Sequence, residues 1–86
     1  MSLTTQQHEI LQKMCDGYIL RLMPGRERAL LMKWREASAI HIDWSEANTL
    51  PPEVIALDDA DEDYNYYVIT CFGRQEVGKQ LPAQPA

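Results

Sequence analysis

Tyr18-Ile19-Leu20-Arg21-Leu22-Met23-Pro24-Gly25-Arg26-Glu27-Arg28-Ala29-Leu30-Leu31-Met32-Lys33-Trp34-Arg35 is the stretch that decides the fold class. Tyr18, Leu20 and Leu22 alternate with Ile19, Arg21 and Met23. Leu30, Met32 and Trp34 alternate with Leu31, Lys33 and Arg35. Two period-two runs on either side of a Pro-Gly turn predict a β-hairpin. One of its faces is almost wholly apolar. The other mixes Arg21, Lys33 and Arg35 with apolar side chains.

Upstream of the hairpin the period changes from two to that of a helix. Ile10, Leu11, Met14, Cys15 and Tyr18 form an apolar stripe with i, i+4 spacing, which places one helix face against a core. Thr4 and Gln7 have the form of a capping box just ahead of it. Gly17 sits where a glycine ends a helix. A first helix of about three turns follows from these signals, over residues 5–16.

Downstream, Ala39-Ile40-His41-Ile42-Asp43 reads as a short third strand with Ile40 and Ile42 inward. Ser45 is placed to cap a short helical turn over residues 45–48. Pro51 and Pro52 interrupt it, but proline suits the first turn of a new helix. A middle helix is therefore expected over residues 51–57, burying Val54, Ile55 and Leu57. Asp58, Asp59, Asp61, Glu62 and Asp63 are too charged to be core and are expected in a solvated loop. Tyr64-Asn65-Tyr66-Tyr67-Val68-Ile69 is rich in strand formers, with Tyr66 and Val68 on one face and Tyr67 and Ile69 on the other. Thr70 is expected to cap a last helical turn that buries Val77 and ends at Gly78. Residues 1–78 form one domain and residues 79–86, with Pro82 and Pro85, a flexible tail.

Several of these residues carry a likeness. Leu3-Thr4-Thr5-Gln6-Gln7-His8-Glu9-Ile10-Leu11, followed by Asp16-Gly17-Tyr18-Ile19-Leu20, resembles the opening of small winged-helix-like proteins, many of them encoded in phages and prophages. Tyr67-Val68-Ile69-Thr70-Cys71-Phe72-Gly73-Arg74 resembles the aromatic-x-x-Thr-x-x-Gly-Arg ending of such domains. The match covers about half the chain. It implies an α+β, winged-helix-like fold: N-terminal helix, β-hairpin, short middle helix, C-terminal strand and short helix. In the middle stretch the chain departs from that pattern, being shortened, proline-broken and acidic. Fold likeness does not carry function, which has to be argued from the site.

Charge supplies that argument. The chain of 86 residues has a net charge of −5, and residues 38–63 hold eight acids with no Lys or Arg. The expected middle helix offers Glu53 and no base. DNA affinity rests largely on Lys and Arg neutralising phosphates, so the usual reading-helix docking is disfavoured. The only basic cluster is on the hairpin: Arg21, Arg26, Arg28, Lys33 and Arg35. It is either a set of solvated charges or, in the alternative reading, the DNA contact of a transcription regulator. The acidic segment beside Tyr64, Tyr66 and Tyr67 is either a solubilising connector or a contact surface for a basic protein partner. Tyrosine is enriched at interfaces, and charge complementarity selects partners. A homodimer is compatible with either reading.

Other chemistries are not supported. The acidic run has no glycine from Asp58 to Phe72, so it lacks the sharp turn of an EF-hand loop. His8 and His41 are too few for a zinc site. No phosphate loop or nucleophile signature occurs. No enzyme activity, cofactor or metal is expected. Cys15 and Cys71 read as two small buried apolar residues, a disulfide between them being the alternative. Trp34 and Trp44 read as core. No apolar run approaches the ~20 residues that span a bilayer, and residues 1–8 lack the pattern of a secretory signal. A cytoplasmic location is the expectation. The expected role is that of a small regulatory or inhibitory protein acting by contact through residues 58–67.

Overall fold

The computed structural model describes residues 3–33, 35–36 and 38–80, residues 79 and 80 by backbone alone. In chain order the elements are α1 (Thr5–Cys15), β1 (Ile19–Met23), a 3-10 turn (Pro24–Arg26), β2 (Arg28–Met32), β3 (Ala39–Ile42), α2 (Trp44–Asn48), β4 (Ile55–Ala60), β5 (Asn65–Ile69) and α3 (Cys71–Gln80). The fold is α+β: three helices and a five-stranded antiparallel sheet of order β3-β2-β1-β5-β4.

The capping box forms as the sequence predicts. Gln7 N donates to Thr4 Oγ1 at 3.0 Å, and Thr4 N donates to Gln7 Oε1 at 3.1 Å. Gln7 is also buried, and its Nε2 donates to the carbonyl of Glu46 and to Thr49 Oγ1. The residue that completes the capping box of α1 therefore also holds α2 in place. A buried amide is tolerated there because both its oxygen and its nitrogen are satisfied. Gly17, at φ 104°, supplies the left-handed residue that ends α1 and turns the chain into β1.

All three helices lie on one face of the sheet. Ile10, Leu11 and Met14 of α1, Ala47 of α2 and Val77 of α3 share one core cluster with Leu20, Leu22, Ala29, Leu31 and Ile55 of the strands. Leu11, Met14, Leu20, Leu31 and Val54 are the largest side chains fully withdrawn from water. Each such burial stabilises the fold by about 1.5–3 kcal/mol relative to exposure. Ile19, Met23 and Leu30 are buried too, but they stand outside that cluster because the pleat sends them to the opposite face.

The hairpin is present with its second strand shifted. Met23 pairs with Arg28, so pairing resumes immediately after the turn rather than at Leu30. The 3-10 turn and a left-handed Glu27 (φ 50°, ψ 46°) reverse the chain within four residues. β2 then ends at Met32, and Trp34 lies outside the described residues.

The expected middle helix is replaced by a turn and a strand. Val54 N bonds the carbonyl of Pro51 at 3.2 Å, and the chain then extends as β4 against β5. A helix needs ten or so residues to declare its period, and four apolar positions do not. β5, paired with β1 along one edge, offers its other edge to this segment, which takes it as β4. The cost is visible: Val54 and Ile55 are buried, whereas Leu57 is 58% exposed.

The last helix begins where the sequence places it and runs further. Thr70 Oγ1 accepts from Gly73 N at 3.0 Å and donates to the carbonyl of Glu53 at 2.6 Å, and Thr70 N donates to the carbonyl of Val54. One residue thus caps α3 and holds the turn before β4. Gly73 is required by the same approach: a Cβ there would lie 2.4 Å from the Val54 carbonyl oxygen and 2.7 Å from Ile69 Cγ1. Val77 is buried as expected, but α3 passes Gly78 and continues to Gln80. The tail expected from residue 79 therefore starts within a helix, and its residues 81–86 lie outside the described ones.

Both cysteines are free thiols. Cys15 is half-buried, but Cys71, the first residue of α3, is exposed, against expectation. Trp44 is half-buried and packs on the core cluster.

Candidate partner-binding surface

The acidic residues do not form one loop. Asp58 and Asp59 belong to β4, and only Asp61, Glu62 and Asp63 lie in the connection to β5. An edge strand keeps one side in water, so the charge that argues against a core strand does not argue against this one. A register shift between Leu57 and Asp59 marks a bulge. Its effect is to place Asp59, rather than Asp58, opposite Tyr66. The connection closes on itself: Asp61 N donates to the carbonyl of Tyr64 at 2.7 Å, and Asp61 Oδ1 accepts from Glu62 N at 2.7 Å. Asp59 Oδ1 accepts from Ala60 N. All five acids are exposed.

Register brings Asp59 into a row that crosses the whole sheet. Asp59 stands opposite Tyr66, Tyr66 opposite Arg21, Arg21 opposite Leu30, and Leu30 opposite His41. Residues directly opposite in antiparallel strands project to the same side. The row therefore lies on the face away from the helices. Within it the Arg21 guanidinium carbon lies 3.6 Å from the centroid of the Tyr64 ring and 5.7 Å from that of Tyr66. The two rings are 6.4 Å apart and tilted by 51°. Arg21 Nε is buried and has no hydrogen-bond partner among the described residues. The cation is thus held by ring faces, an interaction worth about 0.5–1 kcal/mol at a partly exposed site.

Tyr67 is not part of this group. It stands opposite Leu20 and packs on the core cluster, on the helix side of the sheet. Of the three tyrosines expected at the surface, Tyr64 and Tyr66 are brought together and Tyr67 is not.

The basic hairpin also separates into parts. Arg21 and Arg28 point away from the helices. Lys33 follows β2 and places its ammonium 4.7 Å from the centroid of the Tyr18 ring. Arg35 is exposed in the connection to β3, and Arg26 is exposed in the turn. The expected grouping of Arg21 with Lys33 and Arg35 on one face fails because Arg21 shares its face with Leu30, one residue out of step with Leu31 and Lys33.

The turn of the first hairpin and the acidic connection of the second lie at the same end of the sheet. Between them is a cleft of about 230 Å³, lined by Met23, Pro24, Gly25 and Arg26 on one side and by residues 61–65 on the other. Arg26 therefore works beside Asp61, Glu62 and Asp63, not within an isolated basic patch. Sequence alone linked Arg21 with DNA. Its role as the support of Tyr64 and Tyr66 could have been found only by knowing that β1 pairs with β5.

Among the described residues, no group of three or more His, Cys, Asp or Glu side chains is placed to hold a metal ion. No helix among them is long and apolar enough to cross a membrane. No family model, curated protein or solved structure matches the chain.

Proposed function

We propose that the chain is a small, non-enzymatic regulatory or inhibitory protein that acts by binding a basic protein surface through its β4–β5 side. The observation that carries this reading is the pairing of five exposed acids with an ordered aromatic group. Asp59 stands opposite Tyr66 with Asp58 beside it in β4, and Asp61, Glu62 and Asp63 line one cleft with Tyr64; the two rings lie over Arg21. Aromatic area held in place before binding reduces the ordering cost of association. The acids steer a cationic partner toward it. The winged-helix likeness of the two ends of the chain adds the suggestion of a phage or prophage regulator, working in the cytoplasm.

The alternative, a transcription regulator gripping DNA by its basic hairpin, draws less support. Arg26 shares its cleft with three acids, and a phosphate backbone approaching that turn meets them as well.

The test is capture of partners from the native host by the intact protein and by a triple variant, Asp58→Asn, Asp59→Asn and Asp61→Asn. The partner should be lost by the variant, or bound about tenfold or more weakly, with a reduced salt dependence. Undiminished binding to the same protein would remove the acidic surface from consideration. Salt-sensitive DNA binding abolished by Arg26→Ala with Arg28→Ala would favour the alternative.

A further inference from the structure

The two edges of the sheet are treated differently. The β4 edge carries Asp58 and Asp59 and a bulge, three devices that discourage another strand from adding on. The β3 edge has none of them. Ala39, Ile40, His41 and Ile42 include no charged side chain of fixed sign and no proline, and all four pair with β2 without a register shift. Among the described residues, no segment pairs with its outward backbone groups. On the helix side of this edge a groove of about 280 Å³ opens between α1 and β3, with Ile10, Leu31 and Ile42 in its lining and Glu9 and Lys13 among its polar residues.

We propose that β3 pairs antiparallel with β3 of a second copy of this chain, joining two sheets into one of ten strands. Parity fixes the register. Directly opposed residues project to the same side, so a continuous core face requires an inward residue opposite an inward residue. Ile40 and Ile42 are the inward pair, both packed on the core cluster. Ile40 of one copy then stands opposite Ile42 of the other, and the two-fold axis passes at His41. An isologous contact of this kind is self-complementary. The second copy's Ile40 arrives beside the groove that Ile42 lines. The strands bring no like charges together. Glu9 and Lys13, one turn apart on α1, give each groove both signs, so the two-fold axis allows acid to meet base across it. A β4 pair would instead set Asp58 and Asp59 against the same acids. The arrangement leaves both acidic β4–β5 sides free at the far ends of the joined sheet. It does not depend on what those sides bind.

The experiment is sedimentation of the full chain over a range of concentrations, with amide hydrogen exchange at the two ends of that range. The expected result is a mass that doubles with concentration, accompanied by rising protection of β3 amides but not of β4 amides. His41 is exposed, so His41→Lys should leave the fold intact by circular dichroism. It would set two ammonium groups opposite each other at the axis and weaken the dimer about tenfold or more. His41→Tyr, neutral and strand-favouring, should retain it. A chain that stays monomeric throughout overturns the proposal. So does a dimer that His41→Lys leaves unchanged, or one whose protection appears at β4 or on the helices.

Discussion

The two hairpins of this sheet are made from similar materials and do opposite work. The β1–β2 hairpin lies inside the sheet, flanked by β3 and β5, and both its faces are buried in part. The β4–β5 hairpin ends in an open edge, and its outer strand is exposed along most of its length. The first is held by its core side chains. In the second, Ile55, Tyr67 and Ile69 reach the core cluster, while its two ends are fixed by the cap at Thr70 and by the stacking of Tyr64 and Tyr66 on Arg21. A strand can therefore be essential to the architecture without contributing much apolar burial, provided its ends are fixed by polar geometry.

The largest effects should fall on the inner hairpin. Leu20→Ala empties a fully buried site and is expected to cost about 3–4 kcal/mol, whereas Leu57→Ala should change stability by less than about 0.5 kcal/mol. Urea denaturation of the pair measures the contrast directly, and equal losses would erase it. Next comes the anchor of the outer hairpin. Gly73→Ala drives a methyl group into the Val54 carbonyl, which is backbone and cannot rotate away. A loss of about 3 kcal/mol is expected, with amide exchange accelerated at residues 53–57 before the rest of the sheet. A fully stable Gly73→Ala protein would mean that α3 is not held against the turn. The smallest effect is the most local. Arg21→Met keeps the aliphatic stem and removes the cation, at about 1 kcal/mol. Its signature should be changed ring chemical shifts of Tyr64 and Tyr66 and faster exchange in the β4–β5 connection. Unchanged rings would show that the aromatic group stands without its support.

The same contrast separates what could be read from the sequence and what could not. α1, the first hairpin, β3 and α2 all announce themselves within a dozen residues: a capping box at Thr4, alternation around Pro24-Gly25, Ile40 and Ile42 in step, Ser45 suited to capping a helical turn. The Asp43 side chain accepts from Ser45 N, so the α2 cap lies two residues before the Ser45 that sequence suggested. β4 announces nothing. Pro51 and Pro52 imitate a helix start, Val54 to Leu57 is too short to show a period, and the acids that follow suggest solvent. The strand exists because β5 offers it an edge, which is information held elsewhere in the chain. For the candidate surface, the acids and tyrosines were legible as residue types. Their arrangement was not, since the bulge that aims Asp59 at Tyr66, the parity that withdraws Tyr67 and the pairing that brings Arg21 under Tyr64 are all properties of register. The residue pattern after β5 anticipated Thr70 as a cap. It offered no reason for Gly73, which the Val54 carbonyl supplies.

The strand order also sets a timetable. β1 is the middle strand of the finished sheet, yet its second neighbour is β5, which brings Tyr67 to Leu20 and Asn65 to Leu22. The first hairpin can close as soon as Met32 has been made, because its contacts are local. The opposite flank of β1 must wait for β5, which begins only at Asn65. Until Ile69 leaves the ribosome, the central strand of this protein is an unguarded one, carrying Ile19, Leu20, Leu22 and Met23 beside a row of unpaired amides.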